Sequence, residues 1–179
     1  VLAGGIVGGF LGPAITRWGR DLFAAPFLGS FMLLALVALV ALAVQSQVHV
    51  PKPSLAEQSG GGRPLSKIVR QPVFIVAALA GGLGYGLMNL LMTATPIAMS
   101  FCSHPFGAAA LVIQWHVVGM YAPGFVTGSL IRRFGVLQVM LVGGLLSAVC
   151  VGINLTGNSL SHFWLALFLL GMGWNFLFI

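Results

Sequence analysis

Along the chain, apolar residues come in runs about as long as a bilayer crossing, and polar residues gather in short stretches between them. An α-helix needs about 20 predominantly apolar residues to cross the hydrocarbon core. Residues 1–16 close one such run, and residues 22–44 form a second with no charge in it. Residues 49–71 (HVPKPSLAEQSGGGRPLSKIVRQ) carry three prolines and a glycine triplet and read as a flexible linker. From Gln71 to Ile131 there is no Lys, Arg, Asp or Glu, a stretch too long for one crossing. SFCSHPFG (100–107) divides it into a helix near 73–99 and another near 108–131. Residues 134–153 predict the next helix, 154–162 a turn, and 163–179 the start of a last one. The runs do not alternate in the way that barrel strands do. In lipid the backbone must satisfy its own hydrogen bonds within the segment. The pattern therefore predicts an all-α membrane protein, a polytopic helical bundle.

Composition sharpens this. The chain is 59% hydrophobic and 6% charged, against about 25% charged in a soluble domain. The net charge of +6 does not point to nucleic acid, because the basic residues form no stripe interleaved with aromatics. They mark loops instead. With six helices arranged alternately, one side receives Lys52, Arg63, Lys67, Arg70, Arg132 and Arg133. The other receives Arg17 and Arg20, with Asp21 beside them. Cations accumulate on the cytoplasmic side, and carrying an arginine to the bilayer centre costs about 2.5–3.5 kcal/mol. Arg132 and Arg133 thus read as anchors of a tight cytoplasmic turn. Gly4, Gly8 and Gly12 recur every four residues and offer a smooth helix face for close packing, with Pro13 bending the helix near its end.

Candidate chemistry is sparse. Tyr85, Asn89 and Thr93 recur at i, i+4 and i+8, which aligns phenol, amide and hydroxyl on one stripe able to bond a polar solute. Glue between helices is the competing role for these groups. Gln114, Trp115 and His116 fall inside an uncharged span. His116 is the one group there with proton chemistry near neutral pH, and its competing role is an imidazole bonded to a neighbouring helix. Trp115 reads as an interfacial anchor, and Trp174 and Asn175 as further cavity candidates. Cys102 and Cys150 fall toward the external side and read as free thiols. Asn154-Leu155-Thr156 matches a glycosylation sequon on the turn. The four histidines show no metal-ligand spacing, so neither metal nor cofactor is expected. An intramembrane enzyme would need a Ser/His or paired-Asp constellation, a channel a filter loop or charged ring, and an ATP-driven pump a P-loop. None of these is present in the sequence.

A family resemblance is carried by several stretches. GSLIRRFG (128–135) resembles the second-half copy of the loop motif of the major facilitator superfamily: Gly128, Leu130, Arg133 and Gly135 match, while Arg132 replaces the usual Asp and Val136 the closing basic residue. GGFLGPAITR contains Gly8, Gly12 and Pro13, which match the core of the fifth-helix motif of facilitator antiporters, with Thr16-Arg17 in place of its Gly-Gly. LSKIVRQPVFIVA and QWHVVGMYAPGF resemble the entry to helix seven and helix eight of bacterial permeases of this type. The resemblance implies an internal stretch of a twelve-helix protein covering about helices five to ten. On this scheme 1–48 holds the last two helices of the first half, 49–71 the cytoplasmic linker, and 72–179 the first four helices of the second half. It implies a non-enzymatic secondary transporter of small solutes in a bacterial inner membrane, working as a monomer by alternating access. Tyr85, Asn89, Thr93, Gln114 and His116 become cavity candidates, and protons a candidate coupling ion.

Overall fold

The computed structural model describes residues 2–49 and 63–178. Its helices are α1 (Leu2–Gly19), α2 (Leu28–Gln45), α3 (Leu65–Val69), α4 (Pro72–Phe101), α5 (Phe106–Tyr121), α6 (Gly124–Phe134), α7 (Val136–Thr156) and α8 (Leu160–Phe178), and the described residues contain no strand. α2, α4, α7 and α8 are each long and apolar enough to cross a membrane; α5 and α6 qualify together, as one span bent by 42°. α1 is not among them, since its glycines and Arg17 dilute its 18 residues. The outer faces are what lipid would solvate: Leu36, Leu39 and Leu42 of α2 stand exposed, as do Leu137, Leu141 and Leu145 of α7.

α8 is the hub. Lipid supplies no hydrophobic drive between helices, so close van der Waals contact has to hold them together, and glycine permits it. A Cβ on Gly119 of α5 would lie 2.7 Å from the Phe168 carbonyl oxygen, and one on Gly171 of α8 would collide with the carbonyl oxygen of His116. Across the α7–α8 seam a Cβ on Gly143 would lie 2.8 Å from the Gly173 oxygen, and one on Gly173 2.7 Å from the Gly143 oxygen. Between these contacts lie two apolar clusters. Met99, Ala109, Val112, Phe163 and Leu167 join α4, α5 and α8; Cys150, Ala166 and Leu170 join α7 and α8.

α1 lies antiparallel to α5, with Gly5 against Tyr121, Gly9 against Val117 and Gly107 near Arg17. This corrects the expected packing stripe. A Cβ at Gly4, Gly8 or Gly12 meets nothing within 4 Å among the described residues, whereas one at Gly5 or Gly9 would come within 2.5 Å of its neighbour. Adjacent helical residues point about 100° apart, so the contacting stripe is the one displaced by a single residue. Pro13 is accommodated within α1, which runs on to Gly19.

Several boundaries move for local reasons. The run 22–44 becomes helical only at Leu28. Phe27 sits at φ 65°, its N–H bonding the Arg20 carbonyl, so residues 20–27 form a turn. α7 continues to Thr156 because polar side chains fold back onto the helix: Asn154 Nδ2 donates to Cys150 O (3.1 Å) and Thr156 Oγ1 to Ile153 O (2.8 Å). The sequon is therefore helical, and the connection to α8 shrinks to Gly157–Ser159. Most of the expected linker (50–62) lies outside the described residues, and α3 occupies part of the remainder.

The antiparallel packing sorts the charges. Arg63, Lys67, Arg70, Arg132 and Arg133 belong to the end where α4 begins and α6 meets α7. Arg17 and Arg20 lie at the other end, where Arg20 pairs with Asp21 (3.6 Å) and covers the Phe106 ring at 4.9 Å.

Candidate functional site

Tyr85, Asn89 and Thr93 occupy an exposed face of α4. The next positions along that face, Pro96 and Ser100, line a cavity of about 440 Å³ between α4, α1 and α5. Pro13 and Thr16 of α1 and Ile113 of α5 close its other walls. The three polar residues thus form a track leading into a cleft large enough for a small organic molecule. The lining is mainly apolar. Thr16 and Ser100 turn their hydroxyls back onto Gly12 O (3.0 Å) and Ile97 O (2.7 Å). His104 donates Nε2–H to Asn158 O at 2.9 Å, because a carbonyl can only accept, and its ring lines the cavity beside Phe106.

The other two cavity candidates lie elsewhere. Gln114 spends its amide on the α1–α5 seam, donating Nε2–H to Phe10 O at 3.3 Å. His116 points toward α8, is 0% exposed, and donates Nδ1–H to Leu167 O at 2.7 Å. Its Nε2 is buried without a partner among the described residues, as is Trp174 Nε1. The structure therefore brings Tyr85, Asn89 and Thr93 together and places Gln114 and His116 between helices. Trp115 is likewise no free anchor: its ring meets Trp164 at 5.7 Å and Phe168 at 6.3 Å.

At the arginine corner, Gly135 adopts φ 86° and is the only residue between α6 and α7. Glycine takes this conformation without a Cβ penalty. Arg132 donates to Ser129 Oγ at 3.0 Å, and Arg133 lies 5.3 Å over the Phe134 ring. Leu130 lines a smaller cavity of about 290 Å³ against Gln138 and Phe176. A Cβ at Gly128 would meet nothing within 4 Å among the described residues.

Asn175 emerges as more than a cavity candidate. It is fully buried against the break between α5 and α6, where its amide donates to Met120 O (2.6 Å) and its Oδ1 accepts from Thr127 Oγ1 (2.6 Å). The signal in the sequence was Pro123 in mid-span, which frees backbone carbonyls that need a donor. Which residue supplies that donor depends on helix phase.

Three known proteins are similar to this chain. The riboflavin transporter RfnT of Brucella anthropi is 45% identical over 184 residues, taking in 100% of this chain and 46% of the relative. The uncharacterized MFS-type transporter YddS of Bacillus subtilis is 36% identical over 118 residues (65% of this chain, 27% of the relative). YdeG, another from the same organism, is 39% identical over 104 residues (57% and 24%). The chain spans less than half the length of each of these relatives. No family model matches it, and no solved structure does. The helical bundle, the facilitator-like corner and these relatives together establish that the chain belongs to the major facilitator superfamily.

Proposed function

We propose that the full-length protein is a secondary transporter that moves a small solute across the bilayer by alternating access, with riboflavin the first solute to test. What carries this reading is the 45% identity to a protein named a riboflavin transporter, sustained over the whole of this chain. The cleft between α1, α4 and α5 is the proposed solute path. The Tyr85–Asn89–Thr93 stripe supports it, because three neutral hydrogen-bonding groups on the face that continues into the cleft at Pro96 and Ser100 suit the approach of a polar, uncharged solute. Residues 1–48 are proposed to close the first half, 49–71 to link the halves and 72–179 to open the second. α1 docking on α5 would then be a contact between halves. The cation-rich end is proposed as cytoplasmic, in a bacterial inner membrane, with the protein acting as a monomer. Counterflow into proteoliposomes holding the full-length protein tests the reading. Saturable, protein-dependent riboflavin exchange is expected, and a rate equal to protein-free vesicles rules riboflavin out.

His116 enters this proposal as a strut. Its Nδ1–H joins α5 to α8, and a buried donor that loses its acceptor is costly. Asparagine can place an N–H near the Nδ1 position, and glutamine reaches too far. His116→Asn is therefore expected to keep uptake and its pH profile close to wild type, while His116→Gln lowers the yield of folded protein severalfold. A flattened pH profile in His116→Asn would instead assign proton coupling to this ring.

A further inference from the structure

We infer that α6 is a hinged arm and that Asn175 of α8 is the positioning residue that latches it in its bent form, an inference that rests on the transport reading for its purpose. The joint lies at Ala122–Pro123, where the span bends by 42°. Pro123 has no N–H to give the carbonyl one turn back. Beyond it the chain restarts with Val126 N–H and Thr127 N–H both bonded to Pro123 O (2.8 and 2.9 Å). The Met120 carbonyl, left at the end of α5, is served by Asn175 Nδ2 at 2.6 Å. The other end of the same amide accepts from Thr127 Oγ1, on the first turn of α6, at 2.6 Å. One side chain therefore bridges both sides of the break. Asn175 and Thr127 are both 0% exposed, so no water competes for these bonds.

The Thr127 hydroxyl has one hydrogen and two acceptors in reach: Asn175 Oδ1, and Pro123 O at 2.9 Å within its own helix. If α6 swings away from α8, the hydroxyl falls back on Pro123 O and stays bonded. The latch can thus open without stranding a donor on the moving arm, and the bond that Asn175 Oδ1 gives up is what favours the bent form. Gly124 leaves room for the amide: a Cβ there would lie 2.9 Å from Leu2 Cδ2 and 3.3 Å from Asn175 Nδ2. α6 otherwise touches α7 and α8 only lightly, and it carries Arg132 and Arg133 at its tip. Its motion would move the arginine corner at the cation-rich end of the bundle while α5 stays fixed on α8.

The test uses the full-length protein in lipid, cysteine-free except for Leu111→Cys on α5 and Ser129→Cys on α6, each spin-labelled. The distance distribution between the labels reports the bend without needing a solute, and riboflavin exchange is measured on the same samples. Thr127→Val, which removes only the hydroxyl, and Asn175→Leu are each expected to shift the ratio of bent to straight populations by about three- to tenfold. Thr127→Ser, which keeps the hydroxyl, should restore the wild-type ratio. Distributions that are identical for Thr127→Val, Thr127→Ser and wild type overturn the latch, whatever happens to exchange. Should Asn175→Leu fail to fold, the Thr127 pair still decides. Shifted distances in a protein that exchanges no riboflavin would uphold the latch and remove the solute assignment alone.

Discussion

Gly171→Val is expected to leave almost no folded bundle, while Gly144→Val leaves it close to wild type. A Cβ at Gly171 would overlap the His116 carbonyl oxygen and lie 3.0 Å from Met120 N. These are backbone atoms of a neighbouring helix, which no rotamer change can move aside. The whole of α5 would have to retreat from α8, parting the His116–Leu167 bond and the Asn175 latch together. Overpacking a core by side-chain crowding costs about 1–3 kcal/mol; separating two helices that carry buried polar bonds belongs with the rare losses above about 4 kcal/mol. Gly143 and Gly144 supply a contrast between neighbours. A Cβ on Gly143 would meet the Gly173 oxygen at 2.8 Å, and one on Gly144 meets nothing within 4 Å among the described residues. The monodisperse fraction of detergent-solubilised protein should collapse for Gly171→Val and Gly143→Val and hold for Gly144→Val. Equal behaviour of Gly143→Val and Gly144→Val would show that close glycine contacts do not hold these seams.

The same glycines show what could be read from the chain and what could not. Helix existence follows from run length, because about 20 apolar residues have one economical fate in lipid. The sorting of most charges to one end of the bundle follows as well, since Arg132 and Arg133 fall between two apolar runs. Phase does not follow. The repeats Gly4-Gly8-Gly12 and Gly5-Gly9 interleave in one helix, and only the position of α5 decides that the second makes the contact. Helix ends fail for a different reason. Leu22–Phe27 is as apolar as a helix, yet Pro26 and the left-handed Phe27 turn the chain there. Asn154 and Thr156 look like loop residues but bond back to their own helix. Apolar and polar character report on solvent, and these ends are set by local backbone bonds. That Tyr85, Asn89 and Thr93 share one face was legible because the stripe is spelled out at a spacing of four. Asn175 was not, because its partners Met120 and Thr127 lie 55 and 48 residues away.

Asn89→Leu in the full-length protein is expected to lower solute exchange about tenfold or more while leaving the folded yield unchanged. Asn89 lies on the exposed face of α4 between Tyr85 and Thr93, with Tyr85 57% exposed, so the change removes no core packing. If the cleft is the solute path, a bound solute in a water-poor cavity would leave its own polar group unpaired beside leucine. An unmet buried hydrogen bond costs about 1–3 kcal/mol, and 1.4 kcal/mol is about a factor of ten in affinity. The loss should appear chiefly as a raised KM, since on this reading the amide would bond the solute as it binds, with Tyr85→Phe and Thr93→Val moving KM in the same direction by smaller factors. Leu83, 73% exposed on another face of the same helix, is the control. Leu83→Asn introduces an amide away from the track and is expected to leave KM where it was. A tenfold loss in Leu83→Asn, or an unchanged KM in Asn89→Leu with riboflavin exchange intact, would move the solute path off α4 and onto another face of the bundle.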